Sequence, residues 1–280
     1  MIKKLTITVL ANNSVMKKGL RGEHGWSLLV KADGHTFLWD TGQGLTLEHN
    51  VKELGIDLSR VEAVLLSHGH YDHAGGLQTV LKHAPHAQIY CHPHTFNRKF
   101  RRQPGGKGFR ENGIPHFTRE TLADACGGLQ VSTEPFEIIP GFWMSGEVPR
   151  DYGPEMTRNF YSDEACTVPD HILDDQSLFV ETPNGTVVLL ACSHAGVINI
   201  LHAAGQVAGK DEVYAVVGGM HIFGERPGVS RPVLDELTRR KVQVLGPAHY
   251  ISGRGDAELC VTFPGEFLDV VVGSTFELGE

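Results

Sequence analysis

The sequence predicts an α/β protein with a two-layered sheet core covered by helices. Three observations carry this. Strand-like runs dominate the first half of the chain, and strand–helix alternation dominates the second. The run Val61–Leu66 shows little polar alternation, as a strand covered on both faces does. Neither a short-period repeat nor a convincing linker divides the 280 residues, a length that allows one large domain or two small ones. A single domain over residues 1–280 is expected, with an insertion at about 94–170.

Leu5–Leu10 alternates at Leu5, Ile7 and Val9 and reads as the first strand. Trp26–Lys31 and His35–Trp39 follow as a pair joined by an Asp33-Gly34 turn. Asp40-Thr41-Gly42 ends the third strand, and a helix is expected around Leu45–Leu54, closed by Gly55. After the strand Val61–Leu66 come a histidine-rich stretch, a helix around Leu77–His83 and a strand at Gln88–Cys91. From about 94 to 125 the pattern changes. Arg98, Lys99, Arg101, Arg102, Lys107 and Arg110 are interleaved with Gly105-Gly106 and Gly108, which reads as an insertion or flap. Strand patterning resumes at Leu129–Ser132 and Phe136–Trp143, and residues 147–172, rich in Pro, Gly and acids, show no period. Ser177–Glu181 and Thr186–Ala191 form a hairpin about Pro183-Asn184-Gly185. A helix near Val197–Ala204, a strand at Val213–Val217, a helix at Val233–Arg240 and a strand at Val242–Leu245 complete the alternation.

Hydrophobic content of 41% and charged content of 21% are those of an ordinary globular protein. The formal net charge of −8 disfavours wholesale binding to nucleic acid or anionic membrane. No apolar stretch approaches the roughly 20 residues of a spanning helix. Met1–Leu10 lacks the apolar core and cleavage site of a signal peptide. The five cysteines are scattered, odd in number and without a CxxC pair, which favours reduced thiols in a cytoplasm over a disulfide framework. The compositional anomaly is the count of 16 histidines, many at the ends of apolar runs.

The chemistry concentrates in Ser67-His68-Gly69-His70-Tyr71-Asp72-His73, directly after Val64-Leu65-Leu66. Imidazoles and carboxylates are ligands of borderline first-row cations. On extended backbone His68 and His70 point the same way and can grip one cation. Asp72 and His73 lie where strand gives way to turn and can aim at a second. Two such cations can share a water and lower its pKa toward neutrality. A solvated polar loop is the competing reading, and a His-x-His-x-Asp-His run is improbable by chance.

With these residues the chain resembles the metallo-β-lactamase superfamily, whose His-x-His-x-Asp-His signature is matched at His68, His70, Asp72 and His73 and whose Asp-Thr-Gly is matched at Asp40-Thr41-Gly42. The resemblance implies a four-layered αβ/βα sandwich of two mixed sheets flanked by helices. It also implies a dinuclear metal site, usually Zn2+, with Mn2+, Fe2+ or Mg2+ as alternatives. Members hydrolyse β-lactams, thioesters, lactones and phosphodiesters, so the fold does not name the substrate.

The superfamily's later ligands are a His before the late hairpin, an Asp at its end and a His after the penultimate strand. The last is matched by His249. At the hairpin's end the chain has Cys192-Ser193-His194 in place of the Asp. His194 is the favoured ligand there and Cys192 the weaker candidate; before the hairpin His171, Asp174 and Asp175 stay open. The resemblance thus assigns His68, His70 and His194 to one cation and Asp72, His73 and His249 to the other, with Asp72 and His221 as catalytic candidates. Asp40 would orient the imidazoles of the 68–73 loop or cap its strand. His221 serves the substrate, moves a proton or is structural, and His24 covers the substrate or is a plain loop residue. His92 and His94 read as capping or surface residues.

Glu23-His24-Gly25-Trp26-Ser27, Cys192-Ser193-His194-Ala195-Gly196-Val197, Gly218-Gly219-Met220-His221 and Ala248-His249 are similar to the archaeal dihydropteroate synthase-like branch of methanopterin biosynthesis. That branch implies a transferase joining a pterin pyrophosphate to an arylamine with loss of pyrophosphate. The leading expectation is hydrolysis of a phosphate or pyrophosphate ester, with a metal-bound hydroxide as nucleophile and a small phosphorylated substrate. The arginine flap suits such an anion, against the plain reading of a solvated loop. A pterin-type transferase, a lactonase or thioesterase, and a metal-stabilised binding protein without turnover are the alternatives. A flavo-diiron reductase is disfavoured because it usually has Glu where this chain has His70.

Overall fold

The computed structural model describes residues 1–103, 105, 108–222, 230–249 and 253–279, without the side chains of 253–256. Gly106 and Lys107 of the basic stretch lie outside the described residues. The first half contains β1 (Leu5–Ala11), β2 (Ser27–Ala32), β3 (His35–Trp39), α1 (Leu47–Glu53), β4 (Ala63–Leu65), α2 (Tyr71–Ala74), α3 (Leu77–His83), β5 (Gln88–Cys91), β6 (Phe100–Arg102), β7 (Phe109–Glu111), α4 (Arg119–Ala125) and β8 (Gly128–Val131). The second contains β9 (Phe136–Ile139), β10 (Phe142–Met144), β11 (Phe160–Tyr161), β12 (Leu178–Thr182), β13 (Gly185–Leu189), α5 (Val197–Ala208), β14 (Val213–Gly219), α6 (Arg231–Arg239), β15 (Val244–Ala248), α7 (Gly253–Thr262), β16 (Glu266–Phe267) and β17 (Thr275–Glu277).

Two seven-stranded mixed sheets run in the orders β17-β1-β2-β3-β4-β5-β8 and β16-β15-β14-β13-β12-β10-β9. The period-2 side-chain alternation of a strand explains how they stack. Ala63 and Leu65 of β4 face the core between the sheets, while Val64 faces the layer of α1 and α3. In β13, Val187 and Leu189 point inward, while Val188, and Leu190 just after the strand, point toward α5 and α6. The strands are apolar on both faces because each sheet is covered on both, giving the expected four-layered αβ/βα sandwich.

The structure differs from the sequence reading in two places. Phe136–Trp143 is a hairpin rather than one strand. Pro140 cannot donate to a ladder, and Gly141, at φ +85°, turns the chain so that Phe142 pairs with Ile139. The span 94–170 expected as an insertion is divided: β8 joins the first sheet beside β5, while β9 and β10 form the edge of the second. Outside both sheets stands a three-stranded sheet, β11-β6-β7, which carries Arg101, Arg102 and Arg110 of the basic stretch.

Topology positions the site. β3, β4, β5 and β8 pair in parallel, as do β13, β14, β15 and β16. The segments leaving β3, β4, β13, β14 and β15 therefore gather at one edge, where open α/β sheets bind ligands. They carry Asp40, the 67–73 loop, Cys192–His194, His221 and His249.

Candidate metal centre

The backbone at this edge departs from ordinary conformations. Asp40, Ser193, His221 and His249 all have positive φ (+60°, +61°, +48° and +30°), each in the segment that leaves a strand. Such conformations cost roughly 1–3 kcal/mol each and persist only where surroundings over-determine them.

Asp40 is fully buried and holds the 67–73 loop. Its Oδ1 accepts from the Ser67 amide at 2.8 Å, and its Oδ2 accepts from Ser67 Oγ at 2.6 Å and lies 2.7 Å from His73 Nδ1. A proton on Nδ1 leaves Nε2 of His73 as the lone-pair nitrogen facing the site. Ser67 Oγ lies 2.8 Å from His68 Nδ1, which turns His68 Nε2 inward as well, 2.9 Å from His70 Nδ1. The loop can bend this way only with glycine at 69, since a Cβ there would stand 2.0 Å from the Thr95 carbonyl. The Gly69 amide donates to Asp174 Oδ2, and the other oxygen of Asp174 meets the buried ammonium of Lys99 at 2.7 Å. Burial opposes charge on both, but each holds the other ionised: Asp174 is lowered and Lys99 raised.

The second sheet supplies the facing residues. Cys192 Sγ lies 3.0 Å from His73 Nε2. His194 donates from Nδ1 to the Met156 carbonyl at 2.9 Å, which leaves Nε2 buried with no hydrogen-bond partner among the described residues. His249 Nδ1 is 2.9 Å from Asn13 Oδ1, and its Nε2 is 3.7 Å from Asp72 Oδ2. That same Asp72 oxygen lies 3.2 Å from His24 Nε2 and 3.8 Å from His73 Nε2. His221 donates from Nδ1 to the Cys192 carbonyl at 2.6 Å, with its ring 4.5 Å from that of His194. Asp175 accepts from the Ala195 amide at 2.8 Å, and its Oδ1 has no hydrogen-bond partner among the described residues.

Burial pushes His68, His194 and His249 well below the usual imidazole value, and takes His70 to about 3 and His221 to about 4. Neutral imidazole is the form that ligates a cation. For Asp72, burial acts upward but the surrounding imidazoles, His73 foremost, hold it far below the usual carboxylate range. Burial raises Asp175 to about 6.

Two groups have ligand atoms within 4.8 Å of one another: His68, Cys192 and His194, and His73, Cys192 and His249. A buried cluster of imidazoles and a thiol, with His194 Nε2 and His70 Nε2 unpartnered among the described residues, fits divalent cations. All six residues expected to ligate thus meet at one place, and Cys192 stands among them rather than behind them. His24 and Asp175 lie at the cluster's margin; His171 instead pairs at the surface with Glu155. His92 is buried and accepts from the His94 amide, capping a short turn. The sequence reading had no signal for Asn13 or Met156; Asp174 was among its open ligand candidates, but its pairing with Lys99 was not foreseen, and all of these reach the site through long-range contacts. Phe160 was likewise missed; its ring stacks on His70 at 5.0 Å and meets His194 edge-on at 5.2 Å. The Arg101 guanidinium lies 5.3 Å from the centre of that ring.

Comparison with known proteins agrees with this geometry. A family model described as the metallo-beta-lactamase superfamily matches residues 20–154. The chain is similar to the crystal structure of Tm1679, a metal-dependent hydrolase of the β-lactamase superfamily, with TM-score 0.82, 27% identity and coverage of 99% of this chain and 100% of that one. Among curated proteins, an uncharacterized protein of Methanocaldococcus jannaschii is 29% identical over 87% of this chain and 89% of its own length. From the same organism, 7,8-dihydropterin-6-methyl-4-(β-D-ribofuranosyl)-aminobenzene-5'-phosphate synthase is 28% identical over 72% of this chain and 71% of its own. A diphosphatase of the PhnP family shares the fold at TM-score 0.56 and 15% identity.

Proposed function

The chain belongs to the metallo-β-lactamase superfamily, and from that premise we propose that it is a metal-dependent hydrolase of a phosphate or pyrophosphate ester. The observation that carries the substrate class is Arg101. Its guanidinium lies over Phe160, which itself packs on His70 and His194, so a cation stands at the mouth of the imidazole cluster. Among the described residues Arg101 has no carboxylate partner, unlike Arg98, which is paired with Glu164. A second guanidinium, that of Arg110, lies over Tyr71 beside Asp72. Planar guanidinium groups bind phosphate oxygens with two parallel hydrogen bonds.

His68, His70 and His194 would hold one divalent cation, and Asp72, His73 and His249 the other. Such ions supply Lewis acidity at the phosphoryl oxygens and lower the pKa of a shared water. The chain's own residues do the rest. Asp40 and Ser67 orient His73 and His68. Asp72 stays ionised beside His24. His221, its Nδ1 proton committed to the Cys192 carbonyl and its ring beside that of His194, would serve as the proton acceptor. The Phe160 ring, stacked on His70 and edge-on to His194, would pack against one face of the bound substrate site.

The test is a substrate panel containing a phosphodiester, a pyrophosphate ester, a lactone and a thioester, assayed on protein of measured metal content. Phosphate-ester turnover should fall at least about 100-fold in His70→Ala. Arg101→Ala should raise KM for the phosphate substrates by about 10–100-fold, the worth of a charge-assisted hydrogen bond. Unchanged phosphate turnover in His70→Ala, or lactone or thioester cleavage outrunning it, removes this reading. A pterin-type transfer is the second reading, favoured by the 28% identity to the M. jannaschii synthase. It requires pyrophosphate release that depends on an added arylamine. Metal retention with no turnover in any arm would leave a binding protein.

A further inference from the structure

Cys192 stands where the superfamily resemblance leads one to expect a carboxylate, and its surroundings say what the thiol does. It is fully buried. It is the one residue common to the two ligand groups found among the described residues, His68/Cys192/His194 on one side and His73/Cys192/His249 on the other. Its position is over-determined. The Cys192 carbonyl accepts from His221 Nδ1 at 2.6 Å. Ser193, at φ +61°, donates from Oγ to the Gly219 carbonyl at 2.6 Å. The strained backbone after β13 is thus tied on both sides to the segment leaving β14, and Sγ is driven toward His73 Nε2. An independent observation points to the same spot. His194 Nε2 and His70 Nε2 are buried without a hydrogen-bond partner among the described residues, an arrangement that is unfavourable unless a ligand satisfies it.

We propose that Cys192 is a bridging thiolate, one sulfur shared by the two cations, and that it biases the centre toward thiophilic ions such as Zn2+, Fe2+ or Co2+ and against Mg2+ and Mn2+. The inference rests on the metal-dependent reading above. On binding, the S–H bond breaks, its proton passes to solvent and two metal–sulfur bonds form, with no change of oxidation state. Sulfur has the lone pairs for two cations, and its softness selects among them. An Asp at the same place would bridge equally well but would admit hard cations.

The experiment is a Co2+ titration of the full-length protein, followed by absorption in the near ultraviolet, with metal content measured at each point. A bridging thiolate gives a sulfur-to-cobalt charge-transfer band that grows through the first and second equivalents. The band is lost in Cys192→Ser and in Cys192→Asp, the second variant retaining two cations if the serine chain fails to fold. A large excess of Mg2+ should leave the band of the unaltered protein in place, and the aspartate variant should take up Mg2+ at least about 10-fold more readily. Saturation of the band at one equivalent overturns the bridge. Persistence of the band in both variants assigns it to another thiol and overturns the proposal. Two bound cobalt ions without any band overturn the proposal while leaving the metal-dependent reading intact. Failure to retain any cation overturns both.

Discussion

Asp40 never touches the cluster's centre, yet it decides which nitrogens face it. Through Ser67 and His73 Nδ1 it sets two imidazoles at once, from a residue forced to φ +60°. Asp40→Asn keeps the shape but removes the charge that holds the Nδ1 proton of His73. Metal affinity should fall by about 10–100-fold, measured by competition with a chromogenic chelator. Equal affinity in the variant would mean that Asp40 only closes strand β3. This role was half visible in the sequence: Asp-Thr-Gly after an apolar run placed Asp40 at a strand end, but left capping and orienting as equal readings. The contact that separates them spans 33 residues along the chain and forms only when β3 and β4 pair.

Among the elements, α6 shows how the second sheet's outer layer is secured. Arg240, immediately beyond the helix, is buried, and Glu236 four residues earlier meets its Nε at 2.7 Å. The same carboxylate binds Arg239 through both oxygens. Burial alone would raise Glu236, but the two arginines outweigh it and lower its pKa to about 2. A depressed carboxylate stabilises the fold fully above its unfolded value of 4.5, and that contribution is lost as pH falls toward 2. Glu236→Gln should therefore cost about 2–3 kcal/mol at pH 7, because Arg240 keeps only its longer contact to Asp211. Urea melts should show the gap to the unaltered protein closing between pH 4.5 and pH 2. A gap that does not change over that range would refute the assignment. A second brace joins the small sheet to the site. Lys99, just before β6, reaches Asp174 and through it the Gly69 amide. Lys99→Met leaves the Asp174 charge buried without its nearest partner and should cost about 3–5 kcal/mol in a denaturant melt at pH 7.

Across the whole molecule, the centre joins the two sheets at one edge: its residues come from the ends of β3 and β4 on one side and β13, β14 and β15 on the other. Cations held there bind the folded state alone, so they stabilise it by mass action. Chelation from 100-fold over Kd should remove about 2.7 kcal/mol and lower Tm by about 5–10 °C, reversed by added Zn2+. A Tm indifferent to chelation would separate the centre from the fold's stability. What the sequence by itself determined was local in origin. The apolar runs, their division into strands and helices, and the clustering of His68, His70, Asp72 and His73 all lie within a few residues of chain, where periodicity and spacing act directly. The two-layered sheet core covered by helices was readable for the same reason, since strands apolar on both faces must be covered on both, whereas the four-layered αβ/βα order was implied by the family resemblance. What only the tertiary structure decided was long-range. It put Cys192 into both ligand groups, set Arg101 over Phe160, and divided the 94–170 span between two sheets and a third. His73 and Cys192 are 119 residues apart, and their 3.0 Å contact follows from strand register and the packing of one sheet on the other, which no local pattern encodes.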